Sequence, residues 1–233
     1  MNRPKAAPQS SPAKELPPLE TGDHLDQPTF HARYEAMPPQ TRAELIGGVV
    51  YMPSPVYALH AEYHPEVIGW LFFYKTFTPG LRLLDNVSVA LAEDGEVQPD
   101  ACLLIRPERG GQTREQDGYF HGAPELVVEV ASSSVSYDLH SKKREYERAG
   151  VLEYVVLLVR EPQVLWFALR DGRFEALPPG EDGIYRSAVF PGLWLDPAAL
   201  LRLDSAAVLQ VLQRGLASPE HEVFARRMQG EPA

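Results

Sequence analysis

Leu126-Val127-Val128-Glu129-Val130-Ala131, followed by Leu139-His140-Ser141-Lys142-Lys143-Arg144-Glu145-Tyr146-Glu147-Arg148-Ala149-Gly150, reads as a covered strand and the helix that packs on it. The first segment is a compact, valine-rich strand. Its alternate faces are Leu126, Val128, Val130 and Val127, Glu129, Ala131. Both faces are apolar apart from Glu129, the pattern of a central strand covered on both sides. In the second segment Leu139, Lys142, Tyr146 and Ala149 fall on one stripe at helical spacing, and Gly150 stands at the usual C-terminal stop. Lys142 is the one charged member of that stripe. A carboxylate in a covered strand is costly unless it is protonated, paired or bound to a cation. The helix follows the strand directly, so Lys142 could reach back to Glu129, the alternative being a lysine that snorkels at the edge of the stripe.

Downstream of this pair, Glu153 to Val159 and Val164 to Leu169 read as strands, and Phe174 to Leu177 as a shorter one. Upstream, Ala43-Glu44-Leu45-Ile46 and Val49-Val50-Tyr51-Met52 flank Gly47-Gly48, a two-residue hairpin signal. Pro53-Ser54-Pro55 is expected to end the hairpin. A mostly apolar helix follows, about Pro65 to Phe77, stopped by Pro79-Gly80, and Pro65 biases His64 away from helical geometry. Leu81 to Leu91 and Val97 to Ile105 read as two strands around the turn Glu93-Asp94-Gly95. Thr29 to Met37 reads as a short helix, and the chain from Pro197 onward as helical. The order predicts a mixed α/β fold with one sheet flanked by helices.

The chain has 233 residues, enough to bury a sizeable core. Five of the first 18 residues are proline and no aromatic precedes Phe30, so residues 1–25 are expected to form a disordered tail. Residues 26–233 then form a single domain that includes a helical C-terminal extension. The apolar run Val67 to Tyr74 is far shorter than a bilayer span, and the first residues lack the apolar core of a secretion signal. With a single cysteine, Cys102, an internal disulfide and a cysteine-based zinc cluster are both excluded. A cytoplasmic protein is the expectation. The net charge of −10 argues against a general nucleic-acid coat protein, which would be basic, but suits clustered carboxylates.

Two further acids join Glu129. Asp100 follows Pro99 at the start of a strand, where proline is tolerated, and Glu44 opens the hairpin beside Leu45 and Ile46. Hard oxygen donors of this kind suit Mg²⁺ or Mn²⁺, with water and substrate phosphate completing the shell. A lysine beside them can orient a nucleophile or offset phosphoryl charge. The same four residues could equally be a buried ion-pair network.

Pro99-Asp100, then Glu125-Leu-Val-Val-Glu129-Val-Ala-Ser-Ser-Ser134, resembles the signature of the PD-(D/E)XK nuclease superfamily, and more narrowly the Uma-type putative restriction endonuclease family. The stretches Glu44 to Pro55, with His60 downstream, and Asp138 to Tyr154 carry the resemblance further. It spans about residues 44 to 169. It implies a restriction-endonuclease-like core and Mg²⁺- or Mn²⁺-dependent cleavage of phosphodiester bonds in nucleic acid, DNA before RNA. Asp100 matches the first acid of the motif and Glu129 the second, both as metal ligands. The usual lysine two residues on is absent, since position 131 is Ala, and its counterpart is Lys142 on the following helix. Glu44 matches an extra acid that would hold a second metal or a water. A homodimer is implied as well, because enzymes that cut both strands often pair two sites. This chain departs from the pattern at Gly47, usually Asn or Asp, and at Ser132-Ser133-Ser134, usually Ser-Pro-Ser. The alternative is a non-catalytic dimeric binding or regulatory module that keeps the fold.

Other signals are weaker. His60 and His64 stand at i, i+4, but the glutamate of a zinc protease should directly follow the first histidine and here is Glu62. His60 is better placed lining the cleft or capping the helix. Ser132 to Ser134 lacks a nucleophile elbow. Paired-carboxylate hydrolysis of sugars lacks an aromatic platform near the acids in sequence.

Overall fold

The computed structural model describes residues 16–52, 58–132 and 135–230. In chain order the elements are α1 (Gln27–Glu35), β1 (Glu44–Ile46), β2 (Val49–Tyr51), α2 (Ala58–Thr76), β3 (Leu81–Asp85), β4 (Val89–Ala92), β5 (Gly95–Val97) and β6 (Ala101–Ile105). They continue with β7 (Arg114–Gln116), β8 (Tyr119–His121), β9 (Leu126–Ala131), α3 (Lys143–Ala149), β10 (Glu153–Leu158), β11 (Gln163–Arg170) and β12 (Arg173–Ala176). The short strands β13 (Tyr185–Arg186) and β14 (Trp194–Leu195) precede α4 (Pro197–Leu201), α5 (Ser205–Leu216) and α6 (Pro219–Gln229). A π-helical turn, Tyr137–Lys142, runs directly into α3.

β9 is central, as its two apolar faces require. It lies between β10, parallel, and β6, antiparallel, in a sheet ordered β12-β11-β10-β9-β6-β3. All six of its residues are buried. Leu126, Val128 and Val130 face a core shared with Trp70 and Leu71 of α2, Trp166, Phe190, Leu212 and Phe224. Val127 and Ala131 face the opposite core, with Tyr146 of α3, Tyr154 and Val156.

The fold class is mixed α/β, but there are two six-stranded sheets where the sequence suggests one. The second is ordered β2-β1-β5-β4-β8-β7. Each of the two long expected strands breaks in the middle, and its halves join different sheets. Leu81 to Leu91 is interrupted at Asn86, which takes a left-handed φ of 49°. Val97 to Ile105 is interrupted at Pro99, which has no N–H to extend a ladder. β3 and β6 therefore pair in the first sheet, and β4 and β5 in the second.

Two other expectations need correction. α2 starts at Ala58 and runs through Pro65, so His60 and His64 are both helical. Burial of Tyr63, Val67, Trp70, Leu71 and Tyr74 along this helix outweighs the one backbone bond that Pro65 removes. Residues 16–25, expected to belong to a disordered tail, are ordered against the rest of the chain. Residues 1–15 lie outside the described residues, as does Pro53-Ser54-Pro55, but residues 16–25 pack on the hairpin. Leu19 is buried, the Gly22 N–H donates to the Val50 carbonyl, and the Leu25 N–H donates to the Gly48 carbonyl.

Glu125 shows how the far end of the sheet is closed. It is buried, and its two carboxylate oxygens accept the Ile105 N–H at 2.8 Å and the Gln112 N–H at 2.7 Å. Glu125→Ala strands both donors and is expected to lower stability by about 2 kcal/mol or more, measurable by urea denaturation.

Candidate active site

The first sheet forks at the C-terminal end of β9. β6 pairs with β9 only at Ala101↔Val128, Cys102↔Val127 and Leu103↔Leu126. Beyond that point the chain, read backwards through Pro99, leaves for the second sheet. Among the described residues Val130 therefore has no strand beside it on that side, and side chains take over its backbone groups. Its N–H donates to Asp100 Oδ2 at 2.7 Å, and its carbonyl accepts from His60 Nδ1 at 2.9 Å. His60 Nε2 lies 3.4 Å from Asp100 Oδ1. One helical turn on, His64 stacks against His60 with ring centroids 5.5 Å apart. Its Nε2 donates to the Asp100 carbonyl at 3.1 Å and lies 3.3 Å from the Asp85 carboxylate.

Glu129 points to the other face of the fork, toward the helix that follows. Lys142 Nζ sits 2.9 Å from Glu129 Oε1 and 2.9 Å from Glu44 Oε1. The Tyr146 hydroxyl donates to Glu129 Oε1 at 2.7 Å, and the Gln98 N–H donates to Glu44 Oε1 at 2.7 Å. Glu44, Glu129, Lys142 and Tyr146 are all buried. Glu44, Glu129 and Lys142 thus meet directly, and Asp100 joins them through the Val130 peptide. The reach of Lys142 comes from the stripe it shares with Tyr146, set by the π-helical turn, a feature frequent at functional sites.

The charges do not balance. Burial, opposed by the Lys142 ammonium and reinforced by Asp100 and Glu44, pushes the Glu129 carboxyl up to about 7. Burial likewise raises Asp100, against the Val130 N–H that favours its anion. Burial disfavours the Lys142 charge, but Glu129 and Glu44 outweigh it and hold the ammonium well above the ordinary lysine value. Lys142 is therefore a fixed cation at neutral pH and cannot serve as a base. Burial lowers His60.

Three residues of this site carry no role in the sequence reading. Tyr146 stands on the helical stripe there only as an apolar member. Asp138 is buried and adds its charge to the surroundings of Lys142; its spacing of four from Lys142 is the available signal. His64 is obscured by Pro65.

Among the described residues no group of three His, Cys, Asp or Glu side chains is assembled to wrap one cation. A closed, all-protein metal cage is thus not what these residues form. The donor set fits a looser site. Its acids are hard oxygen donors that outnumber the single ammonium, and Mg²⁺ ordinarily binds through one or two carboxylates with water and substrate phosphate.

The model of the Uma2 family, described as a putative restriction endonuclease, matches residues 28–198, well over half of the chain. The chain belongs to the Uma2 family. The matched span of this Uma2 protein contains Glu44, Asp100, Glu129 and Lys142. Among solved structures, a putative nuclease of the DUF820 family from Anabaena variabilis superposes with a TM-score of 0.59 at 15% identity, covering 73% of this chain and 96% of that one. At that identity the likeness is one of fold. No curated protein matches the chain. No helix among the described residues is long and apolar enough to cross a membrane.

Proposed function

We propose that this Uma2 protein is a divalent-metal-dependent endonuclease that hydrolyses phosphodiester bonds in DNA. The observation that carries the reading is the buried cluster at the fork, in which several acids share one lysine. Asp100 and Glu129 would hold Mg²⁺ or Mn²⁺, and Glu44 would hold a second ion or a water. The bound ion would lower the pKa of a coordinated water and offset charge on the phosphoryl oxygens. The chain's own groups prepare the site. Val130 and His60 fix Asp100, and Tyr146 and Lys142 fix Oε1 of Glu129. The permanently charged Lys142 supplies a hydrogen-bond donor for developing negative charge. Pairing of two copies, each cutting one strand, belongs to the same reading, as does a cytoplasmic setting.

A second reading, a non-catalytic module, draws on a specific observation. Lys142 already bridges Glu44 and Glu129, so the acids are partly satisfied without any metal. Cleavage separates the two. With Mn²⁺ and a mixture of DNA substrates, native protein is expected to cut and Glu129→Gln to lose about 10²-fold or more of that activity. The amide oxygen of this variant can still accept from Lys142 and Tyr146, so it should fold normally by circular dichroism. Equal cutting by both proteins rules out the metal-ligand role of Glu129.

A further inference from the structure

We infer that His60 is a nitrogen ligand of the same cation, forming with Asp100 the edge on which a first-row transition ion is held. This inference rests on the metal-dependent reading above and extends it to a residue outside the carboxylate set. The Val130 carbonyl accepts from His60 Nδ1 at 2.9 Å, which requires the proton on Nδ1 and fixes the ring. The other nitrogen, Nε2, then faces Asp100 Oδ1 at 3.4 Å. Asp100 cannot turn away, because its second oxygen is tied to the Val130 N–H at 2.7 Å. One residue, Val130, therefore holds both side chains, with a ring nitrogen and a carboxylate oxygen aimed at each other.

With His60 neutral, a ring-nitrogen lone pair and a carboxylate oxygen face each other at this distance, and a cation or a proton must lie between them. Two donors each about 2.1 Å from one ion, at about 100° to each other, lie about 3.2 Å apart. The observed separation is close to that bite. A histidine donor whose other nitrogen is bonded to a backbone carbonyl is also the usual arrangement for a metal-ligating imidazole. His64 does not compete, since its Nε2 is committed to the Asp100 carbonyl and lies near Asp85. His60 and Asp100 form the paired edge, and Glu129 of the proposed site would join them as third protein donor only when the ion binds, since the three are not gathered around one point among the described residues. An imidazole in the shell favours a later transition ion over Mg²⁺, so the site should discriminate between Mn²⁺ and Mg²⁺.

Pulsed electron paramagnetic resonance on the full chain loaded with Mn²⁺ tests this without reference to activity. Native protein is expected to show ¹⁴N coupling from a directly bound imidazole, lost in His60→Gln and kept in His64→Gln. His60→Gln should also weaken Mn²⁺ about tenfold or more while changing Mg²⁺ much less. Bound Mn²⁺ without nitrogen coupling would overturn the His60 role and leave the carboxylate site standing, with a proton bridging His60 and Asp100 instead. Coupling that persists in His60→Gln overturns it too. No Mn²⁺ binding by native protein overturns both this inference and the metal-dependent reading. If His60→Gln does not fold, His64→Gln decides: coupling lost there would move the ligand to His64.

Discussion

Lys142→Met is expected to lower stability by about 3–5 kcal/mol near pH 7.5, because it leaves buried acids without their cation. For a domain of this size each kcal/mol moves the thermal midpoint by about 2–4 °C, so the shift is on the order of 10 °C. The loss must depend on pH. Glu129 already titrates near 7 with the ammonium beside it, against an ordinary value of 4.5, and removing the ammonium drives it higher. A carboxyl raised in the folded state stabilises fully below its unfolded value and loses that contribution as pH rises through its folded value. Glu129 is protonated in both folded proteins below about pH 6, so the variant's extra penalty should be constant there and grow as pH rises through 7. Urea denaturation of native and variant protein at about pH 5.5 and about pH 8.5 measures this. A penalty equal at both values, or absent, would mean the acids do not depend on Lys142.

Glu129→Gln should behave differently in the same experiment. The amide keeps an acceptor for Lys142 and Tyr146, and Lys142 keeps Glu44 at 2.9 Å. Its stability is expected to stay near native or to rise at pH 7.5, where burying an ionised Glu129 is most costly. The asymmetry between the two variants is the signature of a cluster with surplus negative charge, as opposed to a balanced ion pair.

The contact between Lys142 and Glu129 was legible in the sequence because each is a charge on an otherwise apolar pattern, one at period two and one at helical period. Glu44 was legible as a candidate acid from its apolar neighbours Leu45 and Ile46, but not as a buried one, since a strand-opening glutamate looks the same whether it faces water or core. The fork itself was not legible. It depends on Asn86 adopting a left-handed conformation and on Pro99 ending a ladder, and either residue could equally have sat in a loop at the end of an unbroken strand. β7 leaves no signal for a related reason: Arg114–Gln116 is exposed throughout, so no apolar alternation marks it. Glu145 gives no signal either, because at i, i+3 from Arg148 it looks like half of a solvated helical ion pair. Its carboxylate is in fact buried and also accepts the Gly47 N–H at 3.1 Å. The two histidines illustrate local rules giving way to packing, since Pro65 bends the preference of one residue while the core holds the whole helix.

Mn²⁺ binding is expected to be coupled to the loss of a proton from Glu129, and this makes the metal reading testable before any substrate is known. A carboxyl must be ionised to bind a metal, and Glu129 is held near 7. Below that value the ion has to displace a proton, so affinity should rise toward about tenfold per pH unit between roughly pH 5 and 7 and flatten above. Calorimetry at about pH 6 in buffers of different ionisation enthalpy should report close to one proton released. Glu129→Gln removes that proton and should bind more weakly with a flatter pH profile. Asp100→Asn, whose amide is a poorer donor to the ion than a carboxylate, should lose measurable binding at every pH. Phosphate normally completes such a shell, so weak binding by the protein alone is compatible with the site, and added inorganic phosphate should tighten it. If native protein takes up no Mn²⁺ even with phosphate present, while Lys142→Met is strongly destabilised, the cluster is an ion network that holds the two sheets together at their fork.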